Sequence, residues 1–220
     1  MIYVIGIGPG SKELMTMQCI DAIKDAEVIV GYKTYINLIT DLIEGKEVVQ
    51  NGMRQEIDRC REAVEIAKTG KKVAVISSGD AGIYGMAGLI LELTAKEEQN
   101  IEVKVVPGVT ASIGAAAILG APIMHDFCHI SLSDLLTPWD VIEKRLRLAA
   151  EADFVICLYN PRSKGRPHYL REAIEIIKEY RKLSTPVAVV RHALRDGQEY
   201  KLFTLENFDE EVVDMFSIVI

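Results

Sequence analysis

The sequence predicts an α/β protein of two domains. Short apolar runs rich in valine and isoleucine alternate with longer amphipathic stretches along the whole chain. Glycine-bearing loops follow several predicted strands, the positions where α/β sheets present ligand sites. No low-complexity tract interrupts the pattern, and apolar residues make up 49% of the chain, enough for a substantial core.

In the first half, Ile2 to Ile7 reads as a buried parallel strand that runs into Gly6-Ile7-Gly8-Pro9-Gly10. Ser11 is placed to cap a helix reaching Ala22, with Leu14 where a capping box would have an acidic residue. Val28 to Val30 and Glu47 to Val49 read as short strands, separated by a helical pattern from Tyr32 to Leu42. The spacing over Ile57 to Lys68 predicts a helix with Ile57, Cys60, Val64 and Ala67 on one face. Val73 to Ser77 is a strand, Ser78-Gly79-Asp80-Ala81-Gly82 a loop, and the following helix runs towards Lys96. Val103 to Val106 is a strand ending at Pro107-Gly108. The order is strand and helix in strict alternation, a layered sheet with helices on both faces.

In the second half, Val109 to Ile123 reads as a buried helix followed by a turn. Phe127 to Leu132 is a strand, and Pro138 opens a helix to Ala150 at a favoured first-turn position. Phe154 to Tyr159 is a strand, Pro167 to Arg181 a helix, and Pro186 to Arg191 a strand. Tyr200 to Thr204 and Met215 to Ile220 complete the sheet. The second half does not repeat the first, and the expected domains are residues 1–112 and 113–220, sharing a cleft. Because Ile220 falls inside a predicted strand, a continuation is expected beyond it.

The bulk properties exclude several functions. The net charge of -7 argues against a nucleic-acid partner, since duplex binding rests on phosphate neutralisation. Cys19, Cys60, Cys128 and Cys157 form no CxxC pair, so no metal site is expected and the thiols read as reduced. The start, MIYVIGIGPG, lacks a basic segment and its apolar run is too short for a signal or a membrane span. A cytoplasmic location without a membrane partner is expected.

The glycine loops do not fit a dinucleotide. The first has G-x-G-P-G in place of G-x-G-x-x-G, and the second strand ends at Val30-Gly31-Tyr32 with no acidic residue at its tip. Pro9 removes an N–H that a pyrophosphate cradle would use, which a loop framing an uncharged or cationic ligand can do without.

GIGPG, SSGDAGIYG and VPGVTA, in this order, resemble the tetrapyrrole methylase family over the whole chain. The stretch His125-Asp126-Phe127-Cys128-His129-Ile130-Ser131-Leu132-Ser133-Asp134, followed by Leu136-Thr137-Pro138-Trp139, is similar to the branch that methylates C17 of precorrin-3B and cobalt-precorrin-3 in cobalamin biosynthesis. Leu158 to Ser163 and Arg191-His192-Ala193 fit the same branch. The resemblance implies two α/β domains, S-adenosylmethionine in the cleft between them with S-adenosylhomocysteine as product, a tetrapyrrole substrate, and a homodimer. It also implies a loop after the last strand that closes over the cofactor. Another ring position, or a tetrapyrrole-binding module without catalysis, is the competing reading, and both cobalt-containing and metal-free substrates stay open.

Carried over residue by residue, Pro9, Gly79, Asp80, Ala81, Ile83, Thr110 and Ala111 would line the cofactor pocket, with Tyr159 and Ala193 closing it. Thr110 also reads as a helix cap, Asp80 as a capping carboxylate, and Gly82 and Gly108 as turn residues. Methyl transfer from a sulfonium is mainly an alignment problem. The coupled ring contraction and lactone closure move protons, for which Ser131, Ser133, Asp134 and His129 are the candidates. Ser133 and Asp134 also read as a cap or turn, and His129 as a structural histidine. Arg162, Lys164 and Arg166 would meet the substrate carboxylates, or form an ordinary charged face.

Overall fold

The computed structural model describes residues 1–52, 55–97, 100–163 and 165–220. Lys164, expected at the substrate, lies outside the described residues. The chain divides into two compact units, Met1–Thr110 and Ala111–Ile220.

The first unit is built on a five-stranded sheet in the order β3-β2-β4-β1-β5, parallel throughout. The strands are β1 (Ile2–Gly6), β2 (Val28–Tyr32), β3 (Glu47–Asn51), β4 (Val73–Ser77) and β5 (Val103–Val106). β1 and β4 are buried at every position, which is why they read as unbroken apolar runs. Their side chains alternate between two cores. Ile2, Val4, Val73 and Val75 pack against Cys60, Ala63, Val64 and Ala67 of α3 (Glu56–Lys68) and Ala87 and Ile90 of α4 (Ala87–Thr94). Tyr3, Ile5, Ala74 and Ile76 pack against Cys19 and Ile23 of α1 (Met17–Asp25) and Ile36 of α2 (Lys33–Ile36).

Three local expectations are corrected. The helix placed from Ser11 starts later: a 3₁₀ turn covers Lys12–Leu14, Met15 is extended, and α1 is capped by Thr16, whose hydroxyl accepts from Cys19 N at 3.1 Å. Ser11 makes no capping hydrogen bond. The pattern from Tyr32 to Leu42 yields only α2 and a 3₁₀ turn at Thr40–Leu42, with Ile36 and Ile39 buried. On α3 Ile57 faces solvent and Ala63 takes the buried position.

The second unit has a mixed sheet in the order β6-β7-β10-β8-β9. Its strands are β6 (Phe127–Ser131), β7 (Val155–Tyr159), β8 (Pro186–Arg191), β9 (Glu199–Thr204) and β10 (Ser217–Val219). β6 and β7 are parallel, and β10 inserts antiparallel between β7 and β8. The carboxyl ends of β6, β7 and β8 therefore share one edge. Helices α6 (Trp139–Glu151) and α7 (Tyr169–Lys178) cover one face through Ile142, Leu146, Leu170 and Ile174. The other face carries α5 (Ala111–Leu119), where Ala115 meets Cys157, Val190 and Ile218.

Candidate active site

The glycine loops of the first unit meet at the carboxyl edge of β1, β4 and β5. Gly8 and Gly79 exchange backbone hydrogen bonds of 3.0 and 2.8 Å, stitching the first loop to the second. A Cβ on Gly6 would stand 2.6 Å from Gly79 O and 2.9 Å from Gly108 N. One on Gly108 would overlap Gly79 O and lie 2.5 Å from Gly6 O. Only glycine allows three chain segments to approach this closely.

Asp80 fastens the arrangement. One carboxylate oxygen accepts from Gly82 N at 2.8 Å and the other from Gly108 N at 3.0 Å. Its carboxylate caps a turn and ties the β4 loop to the β5 loop; it does not cap α4, which begins at Ala87. Ala81 is fully buried, and its carbonyl accepts from Ala87 N at 3.0 Å. Pro9 and Thr110 are buried and Ile83 is half-buried.

In the second unit, His129 on β6 and Tyr159 on β7 converge on Ser112 in the first turn of α5. Ser112 is fully buried. Its hydroxyl lies 2.7 Å from His129 Nε2 and accepts from Tyr159 OH at 3.0 Å, while its backbone N–H donates to Tyr159 OH at 3.0 Å. The two rings lie 5.0 Å apart, and burial holds the His129 pKa below its ordinary value. Ser112 escaped the sequence reading because a serine between Ala111 and Ile113 in an apolar helix carries no motif of its own; only the fold brings it to β6 and β7.

Ser131, Ser133 and Asp134 lie where β6 ends. Ser131 Oγ accepts from Asn160 Nδ2 at 2.9 Å and from Ser133 N at 3.2 Å. Asn160 is a further residue missed in the sequence, and its φ of 50° marks the turn out of β7. Leu132 is fully buried and anchors the turn, so Asp134 swings to Tyr169, whose OH donates to it at 2.8 Å. Tyr169 is stacked on Trp139 with centroids 4.0 Å apart. Arg166 Nε is 3.7 Å from Asp134, and Arg166 also donates to Leu132 O at 2.5 Å. Arg162 points to the 3₁₀ turn Glu210–Val212, donating to Glu210 O at 2.9 Å and to both Glu211 oxygens at 3.0 Å. Both guanidiniums are thus paired within the chain. Ala193 sits beyond β8 between two residues of positive φ, His192 and Leu194, and faces Gly114 of α5. Ala111 is exposed and His125 lies outside β6.

The sequence matches the family of Tetrapyrrole (Corrin/Porphyrin) Methylases over residues 1–209. The chain belongs to this methylase family. It is 57% identical over 220 residues to the probable cobalt-factor III C(17)-methyltransferase of Salmonella typhimurium (strain LT2), covering 100% of this chain and 91% of that relative. It is 46% identical to the cobalt-factor III methyltransferase of Priestia megaterium, covering 100% of this chain but only 41% of that longer protein. The crystal structure of the methyltransferase CobJ superposes with a TM-score of 0.94 at 40% identity, over 99% of this chain and 92% of that one. The methylase fold therefore accounts for both units.

Proposed function

We propose that this chain is an S-adenosylmethionine-dependent methyltransferase that acts at C17 of cobalt-factor III or a related precorrin-3-type precursor in cobalamin biosynthesis, with coupled ring contraction. The observation that carries it is the interlocked set of loops around Gly6, Gly79 and Gly108, in a chain 57% identical to a C17-methyltransferase over its whole length.

The residues fit the donor. The packed glycines bring main-chain N–H and C=O groups, not bulky side chains, to the edge of the first sheet, which suits a ligand with adenine, ribose and amino-acid ends. Pro9, Gly79, Asp80, Ala81, Ile83, Thr110, Ala111, Tyr159 and Ala193 are the residues proposed to hold it. Asp80 would act by shaping the loops, because its carboxylate is committed to Gly82 and Gly108. When bound, the donor supplies a methyl group on a sulfonium. The protein's contribution is alignment and exclusion of water.

Of the groups proposed for the proton-moving steps, His129 is the titratable one with a lowered pKa and a defined hydroxyl partner. Ser131 and Ser133 support the edge beside it, and Asp134 holds Tyr169 and Arg166 in place. A substrate carboxylate reaching Arg162 or Arg166 would share a guanidinium that already has protein partners. As in the family it resembles, the chain would work as a homodimer. The deciding assay mixes the protein with S-adenosylmethionine and precorrin-3-type tetrapyrrole, with and without cobalt, and follows mass. A gain of one methyl group is expected. Tight binding of S-adenosylhomocysteine with no methyl gain on either form would overturn the assigned substrate.

A further inference from the structure

The hydroxyl oxygen of Ser131 has both of its acceptor positions filled. Asn160 Nδ2 donates to it at 2.9 Å and the backbone N–H of Ser133 at 3.2 Å. A hydroxyl oxygen has two lone pairs and one hydrogen. With the lone pairs engaged, Ser131 is left with a hydrogen to give. No group among the described residues accepts it, and the side chain is only half-buried. Both donors are held by the chain. The fully buried Leu132 anchors the turn that brings Ser133 N–H back to Ser131. Ser131 is level with Tyr159 across the parallel pair β6 and β7, so the residue after Tyr159 is carried to its side. That residue is Asn160, whose φ of 50° is one that asparagine adopts more readily than most side chains.

We infer that Ser131 is a substrate-binding residue whose hydroxyl donates to a carboxylate oxygen of the tetrapyrrole, and that Asn160 is a positioning residue that keeps this hydroxyl in the donating state. An oxygen with both lone pairs engaged takes no proton, so Ser131 binds and does not act as a base. The surroundings favour a carboxylate as the acceptor. Arg166 donates to Leu132 O, one residue along, and Asp134 stands 3.7 Å from its Nε, too far to engage that nitrogen fully. A hydroxyl that donates to an ionised oxygen makes a charge-assisted bond, stronger than one to a neutral acceptor. The inference rests on the tetrapyrrole assignment and names the substrate group that this edge of the second sheet holds.

Neutron diffraction from a deuterium-exchanged crystal of the full chain, without substrate, shows the hydrogens directly. The expected map has the deuterons of Asn160 Nδ2 and Ser133 N directed at Ser131 Oγ, with the Ser131 deuteron on solvent. A Ser131 deuteron directed at the Asn160 amide oxygen overturns the inference. The second test is a double-mutant cycle in the methyl-transfer assay. Ser131→Ala is expected to raise the KM for the tetrapyrrole about tenfold and to leave kcat within about twofold. Asn160→Gly keeps the left-handed backbone and removes the amide. It is expected to raise KM about threefold when Ser131 is present and to have no effect in the Ser131→Ala background. An equal effect in both backgrounds overturns the positioning role of Asn160. A fall in kcat at unchanged KM in Ser131→Ala overturns the binding role of Ser131. The wild-type neutron map decides the hydroxyl even where a variant fails to fold. Absence of methyl transfer in the wild type would overturn the substrate assignment and leave the map standing.

Discussion

At Gly108 the carbonyls of two other loops occupy the space a side chain would need. Gly108→Ala is expected to cost about 1–3 kcal/mol, the range for overpacking a rigid site. Urea unfolding followed by circular dichroism measures it, and an unchanged midpoint would show that the loops yield easily. Asp80→Ala removes the acceptor for Gly82 N and Gly108 N together, an expected loss of about 1–3 kcal/mol with weaker S-adenosylhomocysteine binding by calorimetry. Both residues were legible in the sequence as members of glycine loops. Their neighbours were not: a chain read in one dimension shows that glycine is present, but not which carbonyl faces it. The same limit hid Ser112, whose partners lie on strands later in the chain.

Among the elements, strands were read more surely than helix starts. A strand buried on both faces announces itself by composition, as β1 and β4 do. A helix start depends on which of several capping residues the fold uses. Ser11 and Thr16 are both good caps, and the extended conformation of Met15 selects Thr16. Thr16→Ala is therefore expected to cost about 1 kcal/mol and Ser11→Ala close to nothing, comparable by thermal unfolding. On α3 the buried Arg59 donates to Gly52 O at 2.9 Å and approaches Met86 Sδ, while its Nε has no partner among the described residues. Its guanidinium lies 6.0 Å from the Tyr32 ring centroid and has no carboxylate partner among the described residues, and such a buried cation is a weak contributor to stability. Arg59→Met should leave the midpoint of unfolding unchanged or raise it, and a clear drop would show that the Gly52 link dominates.

Across the whole molecule, acid acts through groups whose native pKa lies below the unfolded one. Burial lowers the pKa of His129 from its ordinary value near 6.5. Burial raises that of Asp214, but hydrogen bonds from Ser217 and Phe216 N and the Arg191 guanidinium outweigh it, leaving the carboxyl below 3.8. In both cases the unfolded chain takes up protons first, so stability is greatest above each unfolded value and falls as pH drops through it. Unfolding free energy is expected to decline below about pH 6.5 and again below about pH 4, with the first step absent in His129→Asn. A flat profile between pH 7 and pH 5 would contradict the burial of that ring. The two α/β units were legible from the alternation of strand and helix, whereas the strand order was not, since β10 joins its sheet between strands that precede it by long stretches of chain. That late insertion has a consequence for how the protein is made. During synthesis every strand of the first sheet is made before the second sheet begins, but β7 and β8 wait for Ser217–Val219 before they have a shared neighbour. From the completion of β8 until Ser217–Val219 is made, β7 and β8 each present an open edge, a stage at which a nascent chain is exposed to chaperones and to aggregation.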